Sequence, residues 1–396
     1  MNPSPTTVTT TARQLSGGGP RIGIVGGGQL ARMTALAAFE LGCDVVVLER
    51  AEQVPAANLA VHTLIGDWDN PAALVELAKQ VDIVTLENEF VDARSLAAIE
   101  AVGRPLHPTS RTIGIVQDKL TQKQALAEAG LEVPRFRAVA SPEEIAAAAK
   151  ELGWPLVLKA RRNGYDGKGN ATLRDEAGIA GGWQKLGAGS RELFVEEWCP
   201  FTRELAAIVT RSINGDSAVY PVVETVQRDH ICHRVIAPAP VAADVVSRAS
   251  ELAQAAVAAV GGTGSFGVEM FLTADGKLVV NELAPRVHNS GHYTIEGCHC
   301  SQFENHLRAI LGWPLGSTEL VMPAAVMVNL LGAAAGPGRP TGVEKALAIP
   351  GAHVHVYGKT RSNAGRKMGH VTALGRTVAE AIDRAGRAAR EIRFGN

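Results

Sequence analysis

Phe266-Gly-Val-Glu-Met-Phe-Leu272 and Leu278-Val-Val-Asn-Glu-Leu283 are two apolar runs that flank the pair Asp275-Gly276. Such runs on either side of Asp-Gly indicate a β-hairpin closed by a two-residue turn. In that register Glu269 faces Glu282, although like charges directly opposite each other destabilise a sheet. A hard cation that takes oxygen ligands, such as magnesium, resolves the conflict. The alternatives are a protonated or solvated pair, or a register displaced by one residue.

A lysine and a glycine-rich segment form a second candidate site. Lys159 ends the apolar run 156–159, where a lone ammonium is costly to bury, and Gly164-Tyr-Asp-Gly-Lys-Gly169 follows shortly after it. Backbone N–H groups of such a loop can surround phosphate oxygens, with the lysine as a point charge. The segment lacks the Gly-Lys-Ser/Thr ending of a Walker loop. A surface loop with a solvated lysine is the simpler alternative.

The N-terminal part begins with a strand, a glycine turn and a helix. An apolar run ends at Val25, Gly26-Gly-Gly28 follows, and a helical pattern over 29–41 precedes a second strand that ends in Glu49. With the apolar run at 83–86, this predicts a doubly wound α/β unit. The glycines and Glu49 match part of a dinucleotide fingerprint, so an NAD-linked oxidoreductase is one alternative, but Ala31 replaces the third glycine. Free N–H groups of the turn also suit another anion.

Two further segments place acids and hydrogen-bond donors near strand ends. One is Glu196-Glu-Trp-Cys199, which can offer the edge of a strand to a base, with Glu204, whose carboxylate can bind a ribose. The simpler alternative is a strand end that is charged and has no binding role. Residues 285–292 form a polar loop after the hairpin, because Pro285 ends the strand. His288 and His292 of this loop are interpreted as substrate contacts rather than metal ligands.

A basic cluster lies near the C-terminus. Lys359, Arg361, Arg366 and Lys367 occur between residues 352 and 374 without an acid among them. In a nearly neutral chain, this local excess of positive charge indicates a site for an anion such as a phosphate. A solvated basic hairpin is the alternative.

Composition excludes several classes of protein. The 396 residues include 39 Lys and Arg against 40 Asp and Glu, which argues against a protein that coats nucleic acid. No run approaches the ~20 apolar residues of a membrane span. The five cysteines are scattered, which favours a reducing, cytoplasmic compartment. Residues 1–20 are rich in Thr, Ser, Pro and Gly and are predicted to be a disordered extension rather than a signal peptide.

Four segments together resemble one enzyme family. Asp118-Lys-Leu-Thr-Gln-Lys-Gln124, the loop 164–169, residues 281–292 and Gly365-Arg-Lys-Met-Gly-His370 are similar to segments of the N5-carboxyaminoimidazole ribonucleotide synthetases. These are ATP-dependent carboxylases of purine biosynthesis within the ATP-grasp superfamily, and the likeness covers residues 21–370.

The resemblance implies a mixed α/β and α+β architecture. A Rossmann-like pre-ATP-grasp domain is expected at 21–118 and an ATP-grasp domain at 119–320, with a smaller lid lobe at about 137–200. A small β-rich C-terminal domain is expected at 321–396. The resemblance also implies ATP, magnesium (with manganese as a substitute), bicarbonate and 5-aminoimidazole ribonucleotide as small-molecule reactants. The expected partners are a second copy in a homodimer and the mutase that isomerises the product, without nucleic acid or membrane.

The same resemblance implies a role for each matching residue. Glu269 and Glu282 would bind magnesium, and Asp166, Arg286 and Asn289 would lie at the reacting centre. The ribonucleotide and its phosphate would contact Gln29, Lys359, Arg366 and Lys367. The residues expected at ATP are Lys119, Lys159, Gly164, Tyr165, Asp166, Gly167, Lys168, Gly169, Asn170, Glu196, Glu197, Trp198, Cys199, Glu204, Asn281 and Glu282. Within the superfamily fold, a formate-dependent glycinamide ribonucleotide transformylase is the alternative activity.

Overall fold

The structure is a computed structural model, and it describes residues 18–164, 169–187 and 190–395. Tyr165, Asp166, Gly167 and Lys168, four of the residues expected at ATP, lie outside the described residues. The predicted extension at 1–20 lies almost entirely outside them as well.

The N-terminal unit is a parallel sheet with helices on its faces, as the strand–turn–helix pattern predicts. Its strands are hydrogen-bonded in the order β3-β2-β1-β4, and all three pairings are parallel. Apolar side chains of both sheet faces are buried under these helices. The elements are β1 (Arg21–Val25), α1 (Gln29–Glu40), β2 (Asp44–Glu49), β3 (His62–Ile65), α2 (Pro71–Gln80), β4 (Ile83–Leu86), α3 (Ala93–Ala101) and α4 (Ser110–Val116).

A helix and a small antiparallel sheet follow. The Asp118 side chain caps the helix by accepting from the backbone N–H groups of Leu120 and Thr121. The sheet has the order β5-β8-β6-β7 and packs against two helices around its own apolar core. The elements are α5 (Lys119–Glu128), β5 (Phe136–Val139), α6 (Pro142–Leu152), β6 (Leu156–Ala160), β7 (Asn170–Leu173), α7 (Ile179–Lys185) and β8 (Leu193–Glu197).

The rest of the chain is organised around one nine-stranded sheet. Its main path runs β14-β13-β9-β11-β12-β15-β19-β17, with β10 paired to β9. A two-stranded sheet of β16 and β18 lies apart from it. The elements are β9 (Phe201–Arg211), β10 (Ser217–Val219), β11 (Val223–Arg228), β12 (Ile231–Ala237), α8 (Ala243–Ala259), β13 (Gly264–Thr273), β14 (Leu278–Ala284), α9 (Thr294–Gly297), α10 (Gln302–Leu311), β15 (Ala324–Leu331), β16 (Gly336–Pro337), α11 (Val343–Leu347), β17 (Ala352–Val356), β18 (Arg361–Ser362), β19 (Lys367–Gly375) and α12 (Val378–Glu391).

The C-terminal segment is joined to the centre by backbone hydrogen bonds. Strand β12 pairs antiparallel with β15, so β15, β19 and β17 continue the sheet that carries the hairpin. The predicted boundary at residue 320 therefore falls within one continuous sheet, and side chains of β15 and β19 can reach the site that the hairpin carries.

The hairpin pairs Glu269 with Glu282, but not through the predicted turn. Near the turn, Met270 pairs with Val280, one residue out of the predicted register, and Thr273 N donates to Lys277 O, so the loop spans three residues rather than two. The two-residue turn is therefore wrong. A β-bulge at Asn281 adds one residue to β14 and restores the pairing of the two glutamates.

Candidate active site

The opposed glutamates lie beside a lysine of α5. Lys119 Nζ is 2.6 Å from Glu282 Oε2, and both side chains are largely buried. Burial, followed by the neighbouring charges of Glu282 and Glu204, raises the pKa of Glu269 to about 7. Burial also opposes the charge of Lys119, yet Glu282 outweighs it and raises the pKa of Lys119. The Lys119 ammonium therefore offsets part of the negative charge that the two glutamates bring together.

The residues around the bulge fit a hard cation. Asn281 Oδ1 is buried and has no hydrogen-bond partner among the described residues, which is a costly state for an amide oxygen. With the two carboxylates it supplies three oxygen donors of the kind that magnesium prefers. No group of three or more His, Cys, Asp or Glu side chains in the described ranges could hold a metal. A magnesium ion here would need phosphate oxygens or water to complete its shell.

Two lysines share one buried carboxylate behind the hairpin. Lys159 Nζ lies 2.6 Å from Glu196 Oε2, and Lys123 Nζ lies 3.1 Å from Glu196 Oε1. Burial, only partly offset by Glu196, lowers the pKa of Lys123 to about 8. Burial opposes the charge of Glu196 too, but the two lysines outweigh it and hold its pKa below the usual range. The Glu196 carboxylate thus binds Lys159, which is expected at the phosphates, and Lys123, which the sequence patterns did not single out.

The two described ends of the lid loop touch each other. Gly169 has φ +97°, and a Cβ on it would lie 3.0 Å from Gly164 Cα, so a side chain there would be strained and crowded. Gly169 O accepts a hydrogen bond from Ala160 N, and Asn170 pairs with Lys159 across β6 and β7. The loop therefore leaves and re-enters the sheet beside Lys159.

The predicted adenine segment lies at the end of β8, where the backbone N–H groups of Glu197 and Trp198 donate to Arg135 O and Pro155 O. The Glu197 carboxylate is 2.6 Å from Arg135 Nε, so this side chain already has a partner. Trp198 is 43% exposed, and Cys199 is partly buried with its thiol pKa raised by burial. Glu204, on β9, lies two residues from the partner of Glu269 and on the same sheet face. Burial raises the pKa of Glu204.

The glycine turn is filled by carboxylates of the chain itself. Gly27 N donates to Glu49 Oε2 at 2.8 Å, and Leu30 N donates to Glu87 Oε1 at 3.4 Å. A Cβ on Gly28 would lie 2.2 Å from Glu87 Oε1, so glycine makes room for this acid. The glutamate that would hold a ribose in a dinucleotide fold is therefore bound to the turn. Gln29 begins α1 and is half-buried at its edge.

The 285–292 loop follows the hairpin and contacts the N-terminal unit through Arg286. Arg286 forms a forked pair with Glu89, with Nη2 to Oε1 at 2.9 Å. Burial, with Arg286 and Lys367 nearby, lowers the pKa of His288 to about 3, so the ring is neutral. His288 Nε2 is 3.5 Å from Glu269 Oε1. Asn289 is buried and lies on the same short loop.

The basic cluster lies next to this loop. Lys359 Nζ donates to Lys367 O at 2.7 Å and stands over the Tyr357 ring. Arg366 Nη1 donates to Arg361 O at 2.7 Å. The charge of Lys367 contributes to the low pKa of His288, so Lys367 lies near the 285–292 loop. The cluster and the hairpin thus border one region.

A cavity of about 200 Å³ opens between the N-terminal unit, the lid lobe and the hairpin. It joins predicted residues, Lys119, Gly164 and Glu282, with side chains that the sequence patterns did not single out. The cavity is lined by Asp69, Glu89, Phe90, Asp92, Val116, Gln117, Lys119, Arg162, Asn163, Gly164, Glu282 and Leu283.

The charged residues that the sequence patterns did not single out include Lys123, Glu87 and Glu89. Lys123 follows Lys119 by one helical turn, a spacing that places both on one face of α5. Glu87 and Glu89 come directly after β4, where the carboxyl ends of parallel strands commonly form sites. Both signals are readable in the sequence, since they need only the spacing and the strand end.

Comparison with known proteins assigns the family. Family models match residues 20–117 (ribonucleotide synthetase preATP-grasp domain), 124–303 (ATP-grasp domain) and 325–384 (phosphoribosylaminoimidazole carboxylase C-terminal domain). The N5-carboxyaminoimidazole ribonucleotide synthase of Mycobacterium tuberculosis is 43% identical over 382 residues, covering 95% of this chain and 88% of that protein. The chain belongs to the N5-carboxyaminoimidazole ribonucleotide synthase family. The predicted ATP-grasp architecture with its N-terminal and C-terminal domains is thereby confirmed.

Solved structures of the family have the same fold. The Thermotoga maritima synthetase superposes with a TM-score of 0.85 at 39% identity, covering 95% of this chain and 100% of that chain. The Aspergillus clavatus synthase, in complex with ADP and 5-aminoimidazole ribonucleotide, gives a TM-score of 0.86 at 38% identity, covering 94% and 98%. The longest helix that the structure describes, α8, has 17 residues, and none of the described helices has the length and apolar character to cross a membrane.

Proposed function

We propose that this enzyme uses ATP and bicarbonate to carboxylate the exocyclic amine of 5-aminoimidazole ribonucleotide. It is an ATP-grasp ligase that forms a C–N bond, and its product is N5-carboxyaminoimidazole ribonucleotide. One observation supports the site assignment most directly. Glu282, which faces Glu269 across the hairpin, pairs with Lys119, and both Glu282 and Lys119 line a cavity with Glu89 and Gly164.

The phosphate end of the reaction is assigned to the hairpin and the two lysine-bearing elements. Magnesium held by Glu269, Glu282 and Asn281 would neutralise charge on the ATP phosphates. Lys119 and Lys159 bind and orient the same phosphates, and the lid loop excludes water. A bicarbonate oxygen attacks the γ-phosphorus while the bond to ADP breaks, which gives carboxyphosphate and ADP.

The carboxylation end is assigned to the 285–292 loop. Carboxyphosphate releases phosphate, and the amine nitrogen forms its bond to the carboxyl carbon while losing a proton. Arg286 and Asn289 orient the reacting carboxyl group, and Asp166 is the proposed acceptor of the proton. Gln29, Lys359, Arg366 and Lys367 are proposed to bind the ribonucleotide and its 5′-phosphate.

We further propose the domain limits 21–118, 119–320 and 321–396. We also propose a homodimer, a cytoplasmic location and the transfer of product to a mutase. The transfer of product is consistent with the chemistry of the product, which a further isomerisation would consume.

The proposal is tested with purified protein, magnesium and carbon-13-labelled bicarbonate. ADP release that rises on addition of the aminoimidazole ribonucleotide, together with a labelled carboxylated product, supports the function. The basic cluster is tested by Lys359→Ala and Arg366→Ala, which should raise KM for the ribonucleotide by about tenfold or more and leave KM for ATP unchanged. Formate-dependent product without bicarbonate would instead identify a transformylase, and no nucleotide-dependent product would refute both activities.

A further inference from the structure

The 285–292 loop is held by two buried side-chain amides from outside it. These are Gln302, at the start of α10, and Asn329, on β15, with 0% and 4% of their surface exposed. Neither carries charge, and neither belongs to a segment that the sequence patterns singled out. Because the loop carries Arg286 and Asn289, whatever fixes its backbone also fixes those side chains.

Gln302 binds the loop as a neighbouring strand would. Its Oε1 accepts from His288 N at 2.9 Å, and its Nε2 donates to His288 O at 2.8 Å. The same Nε2 donates its second hydrogen to His292 Nδ1 at 3.2 Å, which leaves the His292 proton on Nε2. Every donor of this amide is used, and each of its side-chain contacts lies on the 285–292 loop.

Asn329 exchanges hydrogen bonds with Asn289. Asn329 Nδ2 donates to Asn289 Oδ1 at 2.7 Å, and Asn289 Nδ2 donates to Asn329 Oδ1 at 2.9 Å. Asn329 Nδ2 also donates to Cys232 O at 2.9 Å, which orients the amide against the backbone of β12. The exchange needs an amide at both positions, because a carboxylate cannot donate. Among the described residues, the Asn289 amide has one further N–H and one further lone pair that could bind a ligand.

The residues that are proposed to bind the ATP phosphates and magnesium lie on other elements. Lys119 lies on α5, Lys159 on β6, and the two glutamates on β13 and β14. Loss of either amide should therefore displace the loop while phosphate binding persists. A displacement of even ~1 Å at a reacting group can cost about a hundredfold in rate. An activated carboxyl group that the amine does not meet in time is lost to water.

We propose that Gln302 and Asn329 are positioning residues that couple ATP cleavage to carboxylation by holding the 285–292 loop. The proposal rests on the proposed function of the site. It assigns to β15, in the C-terminal part of the sheet, a part in the transfer step rather than in nucleotide binding.

The test compares Asn329→Asp, Asn329→Ser and Gln302→Glu with the wild-type enzyme. ADP released per carboxylated product should rise about threefold or more in each variant, and KM for the ribonucleotide by about fivefold or more. KM for ATP should change less than about twofold. Unchanged coupling and unchanged ribonucleotide KM in a folded variant would overturn the proposal.

Asn305→Asp is the matched control. Asn305 is equally buried, and its amide binds Tyr220 Oη, Gly316 O and Gly316 N at 2.8, 3.1 and 2.7 Å, away from the 285–292 loop. This control should lower Tm and leave the ratio of ADP to product unchanged. An equal rise in that ratio would mean that general loosening explains the effect. A wild-type enzyme that makes no carboxylated product would refute the proposed function itself, whereas normal product with unaltered variants refutes only the coupling role.

Discussion

Lys119 Nζ lies 2.6 Å from Glu282 Oε2, at the position where a bound cation would compete for the same carboxylate. The lysine thus neutralises one of the two opposed glutamates when no ligand is bound. In the proposed function, a nucleotide phosphate would offer the lysine another partner and leave the glutamate to the metal. Lys119 should therefore weaken the binding of metal alone and strengthen the binding of nucleotide.

Replacing Lys119 should separate those two effects. In Lys119→Met we expect manganese alone to bind more tightly, by up to about tenfold, because a competing positive charge is removed. Binding of magnesium and ATP together should weaken by about tenfold, because a phosphate contact is lost. Isothermal titration of both ligands measures the two changes.

Lys277→Met is the matched control for this substitution. Lys277 forms a 2.9 Å ion pair with Glu132, and both side chains are more than half exposed, so its loss should alter neither affinity. If Lys119→Met weakened manganese and ATP binding alike, the competition between lysine and metal would be refuted.

The affinity for metal should depend on pH through Glu269. The pKa of this side chain is raised to about 7, so a proton must leave before the carboxylate binds a cation. The dissociation constant for magnesium in the presence of ADP should fall about fivefold between pH 6 and pH 7 and then level off. Glu269→Gln should bind magnesium weakly and lack this step.

Stability of the ligand-free protein provides a second measurement of the same group. Because the pKa of Glu269 is higher in the folded state, its protonation stabilises the fold at low pH. This contribution to stability is lost as pH rises from about 4.5 through about 7. Above that window Glu269→Gln should unfold at a higher temperature than the wild-type protein. Identical pH profiles of wild type and variant, in both metal binding and Tm, would show that Glu269 does not titrate in this range.

The hairpin shows how far sequence reasoning reached. Glu269 and Glu282 do face each other, but the turn is one residue longer than Asp275-Gly276 predicts, and the bulge at Asn281 compensates. Turn type can be read from local residues, whereas a bulge depends on what the strand must present to the rest of the molecule. The correct pair therefore followed from an incorrect register.

Charged groups were easier to predict than neutral ones. Lysines and acids in apolar strands stand out because burying a lone charge is costly. Gln302 and Asn329 carry no charge, and their partners lie 14 and 40 residues away in sequence. Nothing in composition or periodicity marks such amides, because their role arises only when β15 and the 285–292 loop meet in the fold.

The lysine pair around Glu196 should contribute to stability. Lys123→Met leaves the buried Glu196 carboxylate with Lys159 alone, and we expect the free energy of unfolding to fall by about 1–3 kcal/mol. The folded pKa of Lys123 is lowered to about 8, so between about pH 8 and 10.5 the unfolded state binds more protons. The difference in free energy of unfolding between wild type and variant should therefore increase over that pH range.

Urea unfolding at several pH values measures this change. Lys79→Met is the control, since Lys79 and its partner Glu76 are both largely exposed and their pair should contribute little. A Lys123→Met protein as stable as the wild type at every pH would contradict the buried triad.

The glycine turn should be sensitive at Gly28. A Cβ there would lie 2.2 Å from Glu87 Oε1, so Gly28→Ala must displace a carboxylate that lies near Arg286. We expect KM for the ribonucleotide to rise about tenfold and KM for ATP to stay unchanged, because Lys119 and Lys159 lie on other elements.

Gly181→Ala is the control for this substitution. Gly181 lies within α7 with open space around it, and alanine favours the helix by up to about 1 kcal/mol. Steady-state kinetics with each substrate varied in turn distinguish the outcomes. A rise in KM for ATP alone would mean that the turn serves the nucleotide instead, and the assignment of the turn to the ribonucleotide would fail.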